Sequence, residues 1–328
     1  MNTQSMKAVV AETYGAADIL QVKEVAKPTP KANEILVQVM ATPVTAADTM
    51  LRQGTPFYGR LFIGLRKPKH PIIGTGFAGQ VVAIGASVSK FKVGDEVFGE
   101  TAFNFSANAE YICIAENGVV DIKPEHISFE EASAICDGAL TSMNFLKEIA
   151  KVKRGQRVLI NGASGSLGTA AVQLAKYLGA EVTGVCSTKN VALVKSLGAD
   201  HVIDYTKTDF TKLGEQYDII YDTIGKISFT KAKQALVKGG QYLSPVLSMP
   251  LLFQVLRTAI VGHKKAKFAA TGTLPTEVLR QMMKNVVKVM ELGKLRLVID
   301  RRYALEEVIK AHQHVDSGRK RGNIVMIP

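Results

Sequence analysis

Between Arg157 and Asn190 the chain holds residue types at spacings that suit one piece of chemistry. An apolar strand, Val158-Leu159-Ile160, leads into Asn161-Gly162-Ala163-Ser164-Gly165-Ser166-Leu167-Gly168, and a helical run from Thr169 to Leu178 follows directly. The unpaired N–H groups at a helix start and the positive end of its dipole attract a pyrophosphate. In Ala163-x-Gly165-x-x-Gly168 the middle glycine lets the backbone approach the phosphates, and the last lets the helix pack closely on the strand. Alanine replaces the usual first glycine. A glycine pattern alone is an ordinary tight turn. Here a second strand, Glu181 to Cys186, follows within about 30 residues, so the loop reads as a dinucleotide seat lined by Ala163, Ser164, Gly165, Ser166, Leu167 and Gly168.

The end of that second strand selects the dinucleotide. A carboxylate there accepts from the ribose 2′-hydroxyl of NAD, whereas cations or hydroxyls without an acid suit the 2′-phosphate of NADP. The residues are Val185-Cys186-Ser187-Thr188-Lys189-Asn190, with no acid. Ser187 and Lys189 are expected to hold the 2′-phosphate, with Tyr205 arriving from the third strand, and NADPH is the expected cofactor. The alternative is that Lys189 is only a solvated residue at a helix start.

The elements that must position this loop are legible on both sides of it. Alternation at Glu34 to Val39 and at Gly79 to Gly85, with turns at Gly85, Gly94 and Gly99, makes the first 125 residues β-rich and barrel-like. Ser128 with Glu131 three residues on is a capping box opening a helical run to Ala150. Strands and helices then alternate: His201 to Tyr205, Tyr217 to Tyr221 and Gln241 to Ser244 are strands, Asn190 to Leu197 and Ser228 to Val237 helices, and Lys267 to Thr271 a sixth strand. Alternation with short links predicts an α/β, doubly wound parallel sheet. Beyond Gly272 a helix (Thr276 to Leu292), a strand-like Leu297 to Ile299, a helix (Leu305 to Val315) and a strand (Asn323 to Ile327) are expected.

Composition narrows the class. The chain has 328 residues, enough for two domains, and its 47% hydrophobic and 21% charged content is that of a globular protein. Cys113, Cys136 and Cys186 are too few and too separated for a disulfide framework, so a reducing, cytoplasmic setting is expected, and the polar start resembles no secretory signal. Forty-one basic against 29 acidic side chains give +12, but the cations are dispersed, which argues against a nucleic-acid partner and for phosphate-bearing ligands. Pro245 to Gly262 is apolar yet interrupted by Pro250, Gln254 and Arg257, so no integral membrane span is expected. A buried or cleft-lining helix is the expectation there. The lesser alternative is a segment lying on a membrane surface, since Leu247 to Val261 is followed by His263-Lys264-Lys265.

In order and spacing, Gly74-Thr75-Gly76-Phe77-Ala78-Gly79, Val93 to Val97, Ala109-Glu110-Tyr111, Ala139-Leu140-Thr141, the Ala163 to Gly168 loop, Leu197 to Asp200 with Ile203-Asp204-Tyr205, and Gly318 to Val325 resemble the medium-chain dehydrogenase/reductase superfamily, zinc-free quinone oxidoreductase branch. The similarity covers nearly the whole chain. It implies a GroES-like β-rich substrate domain over residues 1–125, a Rossmann-type NADP-binding domain over 126–271, and a return to the substrate domain over 272–328, with a homodimeric assembly. Zinc-dependent relatives take ligands from an early cysteine, a Gly-His-Glu triplet and a later third residue. Here the corresponding stretches read Ala41 to Asp48 without cysteine and Gly74-Thr75-Gly76 without histidine or acid, leaving only Cys136 and Asp137 near the third position. No catalytic zinc is expected.

Without a Lewis acid, hydride transfer to a conjugated acceptor is easier than alcohol oxidation, because the charge delocalises onto an enone or quinone oxygen. The resemblance therefore implies an NADPH-dependent reductase of quinones, enones or alkenals. A zinc-independent alcohol dehydrogenase or carbonyl reductase, and a non-catalytic, crystallin-like NADPH-binding protein, are the alternatives. For the catalytic end it implies Thr45, where relatives often carry asparagine, and Asp48, which orients the loop. Thr141 corresponds to a threonine beside the nicotinamide, or is a plain helix-interior residue. Tyr58 offers a phenol to the substrate, or is an exposed loop tyrosine. Asn323 corresponds to a C-terminal cofactor contact. Met50 and Gly76 depart from the family pattern. Cys113 and the six histidines have no ligand spacing, and His312 and His314 fall on different helix faces.

Overall fold

Half-buried strands open the chain because one face of each alternates into a core. Residues 4–101 and 104–328 are described in the computed structural model. The first strands are β1 (Ser5–Val10), β2 (Gln21–Ala26), β3 (Glu34–Val44), β4 (Gly76–Ile84), β5 (Glu96–Glu100), β6 (Tyr111–Ala115) and β7 (Val119–Ile122). Two helices, α1 (Ala46–Gln53) and α2 (Arg60–Ile63), sit between β3 and β4. The expected helix from Ser128 is present but broken into turns of different pitch: α3 (Phe129–Ala134), a π-turn, α4 (Leu140–Met143) and a second π-turn to Ile149. Ser128 and Glu131 form the expected capping box.

Next come β8 (Arg157–Asn161), α5 (Ser166–Tyr177), β9 (Glu181–Cys186), α6 (Val191–Ser196), β10 (His201–Asp204), β11 (Tyr217–Asp222), α7 (Phe229–Ala232), β12 (Leu236–Ser244), α8 (Met249–Ile260) and β13 (Lys265–Phe268). The six strands form one wholly parallel sheet in the order β10-β9-β8-β11-β12-β13. That is the doubly wound order, with its switch point between β8 and β11, where ligands bind at the carboxyl ends of the strands. The chain closes with α9 (Thr276–Glu291), β14 (Ile299–Ala304), α10 (Val308–Asp316) and β15 (Asn323–Ile327). β15 pairs with β3, extending a second sheet of order β14-β15-β3-β4-β5-β7, with β6 also on β3.

Two compact units result, one of Met1–Asp137, Pro275–Gln281 and Ile299–Pro328, the other of Gly138–Leu274 and Met282–Val298. The parallel sheet with its helices and the mostly antiparallel GroES-like sheet are the two architectures expected from the sequence. Three local expectations need correction. Leu297 and Val298 are not a strand: the Gln173 side-chain amide takes both backbone groups of Arg296, at 3.0 Å each, and the strand starts only at Ile299. Val237 is strand rather than helix, since Gly239-Gly240 lie within β12 instead of stopping a helix. Pro245 to Gly262 is not buried: only Leu251 and Thr258 of α8 are, and its other face is exposed.

The first unit has an unusual polar interior. Arg52 is fully buried and gives one Nη2–H to Asp316 Oδ2 at 2.6 Å, while its Nε and Nη1 have no protein partner. His312, also fully buried, has neither ring nitrogen hydrogen-bonded. Burial and the Arg52 charge both penalise the imidazolium and push His312 down to about 3. An imidazole depressed in the fold below its unfolded value contributes stability above about pH 6.5 that is lost as pH falls toward 3. His312→Leu is expected to remove a component of up to about 1.4 kcal/mol per pH unit from the acid-side slope of stability. Denaturant unfolding of wild type and variant from pH 7 to 4 measures it, and parallel slopes would show that the ring does not set the acid sensitivity.

Candidate functional site

The parallel sheet positions the glycine loop by packing alone. β8 is buried from Val158 to Asn161, and the chain leaves it through Gly162, whose φ of 79° lies in the left-handed region. α5 begins at Ser166, three residues earlier than the sequence pattern suggests, with Gly165 as an extended N-cap that supplies no side-chain cap. The first-turn N–H groups of α5 therefore sit on the loop with the positive end of the helix dipole. A side chain at Gly168 would stand 2.1 Å from the Gly162 carbonyl oxygen, so the helix can approach the strand only with glycine there. At Gly165 the nearest atom to an added Cβ is 3.6 Å away, and the space before the loop is open.

A second set of contacts ties this loop to the end of β9. The buried Asn190 amide donates to Ser164 Oγ at 2.9 Å and to Ser187 Oγ at 3.3 Å, and its Oδ1 has no protein partner. Ser187 is half-buried, and Lys189 and Tyr205 are exposed. The Tyr205 N–H donates to Cys186 O at 3.0 Å, which brings the ends of β9 and β10 together. The structure thus gathers Ser187, Lys189 and Tyr205 at one edge of the sheet. It also brings Asp204, opposite Cys186, to that edge; its carboxylate accepts from Thr188 Oγ1 at 2.5 Å and from Thr206, so its oxygens are engaged within the protein. Asn190 and Asp204 escaped the sequence reading because their relevance depends on neighbouring strand ends, although Asn190 lies at the start of α6.

Across the switch point, the buried Asp222 accepts from Asn161 Nδ2 at 2.8 Å, Tyr242 Oη at 3.0 Å and the Ile227 N–H at 2.9 Å. One carboxylate thereby joins the ends of β8, β11 and β12. Thr141, partly exposed on α4, neighbours Ser142, whose hydroxyl donates to Leu167 O at 2.9 Å. A Cβ at Gly138 would meet Ser166 O at 2.5 Å, so the Gly138 to Ser142 turn lies against the loop.

The remaining candidates lie in the other unit. Thr45 and Asp48 are both buried and form a capping box at the start of α1, with Asp48 Oδ2 accepting from the Thr45 N–H and hydroxyl, each at 2.8 Å. Burial pushes Asp48 up to about 6 against those two bonds. Glu100 is pushed up to about 7 by burial and by Asp137 and Asp48, while Lys320 is pulled down by burial against the attraction of Asp137, Asp300 and Asp48. Glu100 and Lys320 are additions to the sequence reading; they come from distant strands and loops with no shared spacing. Tyr58 is 42% exposed on a short turn before α2, and Asn323 is buried at the start of β15.

Residues 31–124 match the alcohol dehydrogenase GroES-like domain family, and residues 197–326 match a family described as zinc-binding dehydrogenase. The chain is 31% identical to the 2-methylene-furan-3-one reductase of Solanum lycopersicum over 98% of its length and 79% of that protein. It is 28% identical to the NADPH-dependent alkenal/one oxidoreductase, chloroplastic, of Arabidopsis thaliana, over 99% of this chain and 80% of that one. The quinone oxidoreductase structure from Coxiella burnetii superposes with a TM-score of 0.87 at 27% identity, covering 99% of this chain and 100% of that one. The zinc named in that family description would need a set of ligands. Thr45 spends its hydroxyl on Asp48, a side chain at Gly76 would run into Pro43, and among the described residues no three His, Cys, Asp or Glu side chains group to hold a metal. A dinucleotide does fit the residues present, given the open face at Gly165 and the unpartnered Asn190 oxygen beside it.

Two alanine substitutions separate packing from binding. Gly165→Ala is expected to change stability by less than about 0.5 kcal/mol and to weaken NADPH affinity by roughly tenfold or more. Gly168→Ala is expected to cost about 1–3 kcal/mol in stability as well, because backbone must shift. Thermal unfolding and NADPH fluorescence titration measure both, and unchanged NADPH affinity in Gly165→Ala would remove the loop as the phosphate seat.

Proposed function

The chain belongs to the medium-chain dehydrogenase/reductase superfamily, in its zinc-free quinone oxidoreductase branch, and on that premise we propose that it is a zinc-independent, NADPH-dependent reductase of quinones, enones or alkenals. The observation supporting this reading is the loop before α5, packed tightly at Gly168, open at Gly165 and linked through Asn190 to a strand end that carries Ser187 and Lys189. When bound, the nicotinamide supplies the hydride. The backbone from Ser164 to Gly168 takes the pyrophosphate, and Ser187, Lys189 and Tyr205 take the 2′-phosphate. Asp204 does not act as an NAD-type ribose carboxylate in this reading, because Thr188 and Thr206 already occupy it. Thr141 flanks the nicotinamide from α4.

Named relatives act on a methylene-furanone and on alkenals or enones, and a structural relative is a quinone oxidoreductase. Those acceptors share a conjugated carbonyl, which spreads incoming charge onto oxygen and needs only a proton from water or a hydroxyl. This suits a site whose Thr45 and Asp48 are bonded to each other. A homodimer in a reducing cytoplasm completes the proposal, supported by the family and by three free thiols. No helix among the described residues is long and apolar enough to cross a membrane.

Loss of NADPH absorbance against a panel of quinones and alkenals tests the reaction. Turnover with these and not with simple saturated ketones is the expected outcome; tight NADPH binding with no turnover on any acceptor would favour the non-catalytic reading. Lys189→Glu is expected to lower the preference for NADPH over NADH by roughly tenfold or more, by setting a carboxylate against the 2′-phosphate. An unchanged ratio of the two affinities would overturn the assignment of Lys189.

A further inference from the structure

Helix α8 has two apolar faces, and the fold uses one. Leu251, Val255 and Thr258 face inward, with Leu251 and Val255 in the core beneath the parallel sheet. The opposite stripe, Met249, Phe253, Leu256 and Ile260, follows the spacing of one helix face and is 66%, 62%, 62% and 88% exposed, continued by Val261 at 64%. An outward row of four large apolar side chains at the spacing of one helix face is not ordinary surface scatter.

The charge around this stripe identifies what covers it. Between Asp222 and Glu277 the sequence contains eight lysines and arginines and not one aspartate or glutamate, in a chain that has 29 acids in all; of the eight, Lys231 pairs with Asp209 from outside the segment at 2.9 Å. Arg257 lies on the exposed side of α8, between Phe253 and Ile260 at helical spacing, and is itself exposed. Exposed His263 follows the helix, and Lys226 and Lys238 are exposed in the same acid-free stretch. Lys264 and Lys265 donate to the carbonyls of Lys233 and Thr258, which fixes the turn after α8 beside its own helix. A second copy meeting this stripe through a two-fold axis would bring the same cations against it and no acid from this segment to compensate. An anionic lipid surface meets both requirements at once, taking the apolar row into its headgroup boundary and the cations onto its phosphates.

We infer that α8 is a peripheral membrane-docking helix that lays Met249, Phe253, Leu256 and Ile260 on an anionic bilayer, with Arg257 and the acid-free basic segment supplying the electrostatic attraction. The inference is independent of the enzymatic reading, because it concerns binding to lipid and uses no residue of the dinucleotide seat.

Flotation of the full chain with phosphatidylcholine vesicles, with and without phosphatidylglycerol, tests it. Binding is expected to the anionic vesicles at low salt, to weaken as salt rises, and to be much weaker on phosphatidylcholine alone. Phe253→Gln and Ile260→Gln are each expected to reduce binding roughly tenfold, and Arg257→Glu to do so in a salt-dependent way. Phe62→Gln, which changes another exposed aromatic in α2, is expected to leave binding intact; melting temperatures close to wild type show that all four variants fold. Protein remaining unbound with anionic vesicles at low salt overturns the inference. So does binding that survives Phe253→Gln and Ile260→Gln, or that is lost in Phe62→Gln instead. A shift to a smaller oligomer in the α8 variants by analytical ultracentrifugation would assign the stripe to a contact between copies, and would also overturn it.

Discussion

The contact between Gly168 and the Gly162 carbonyl governs the parallel unit. With 2.1 Å between that oxygen and the place a Cβ would occupy, α5 can seat on β8 only by omitting a side chain. Because the helix is seated so low, its first turn begins at Ser166 and its N–H groups open onto the loop. The neighbouring strand ends are then pinned rather than left to float. Asp222 gathers β8, β11 and β12, and Asn190 gathers the loop and the end of β9. The loop proposed as the dinucleotide seat is thus a consequence of close packing at a switch point, with polar clamps holding each flank.

The GroES-like unit follows another logic. Its core buries ionisable groups and leaves some of them incompletely satisfied, including Arg52 Nε and Nη1 and both nitrogens of His312. Such groups cost stability, and they make this unit sensitive to acid through His312. Asp48 and Glu100 are shifted the opposite way, so their contribution to stability declines as pH rises toward neutrality. The two trends oppose each other between about pH 4 and 6, which is why the effect of His312 is read as a difference between wild type and variant rather than from the wild-type curve.

Much of the parallel unit was legible because its signals are local. The bounds of β9, like those of β15 in the other unit, were read to the residue, and the loop was picked out from glycine spacing between a strand and a helix. The start of α5 was placed late because Ser166, Leu167 and Gly168 look like loop by composition, although they form the first turn. The segment before β14 misled because Leu297-Val298-Ile299 is an apolar run, and that was taken for a strand; the Gln173 amide, 123 residues away, satisfies the backbone of Arg296 there instead. Asp48 and Asp137 were named singly, but their grouping with Glu100 and Lys320 had no sequence signature. They come from a helix cap, a strand end, a π-turn and a loop.

Helix α8 shows how an average over a segment conceals direction. Pro245 to Gly262 is apolar in composition, which pointed to burial, yet composition cannot say that a helix has two apolar faces and only one receptor for them. The inward row Leu251, Val255 and Thr258 is spaced by four and three residues, and so is the outward row Phe253, Leu256 and Ile260, by three and four. Each row alone satisfies the pattern of a core-facing helix. The sheet accepts one row, and the absence of acids from Thr223 to Thr276 gives the other a charged setting that a buried helix does not need. Hydrophobicity without a second packing partner, in a stretch of uniform charge sign, points outward to a surface of opposite sign.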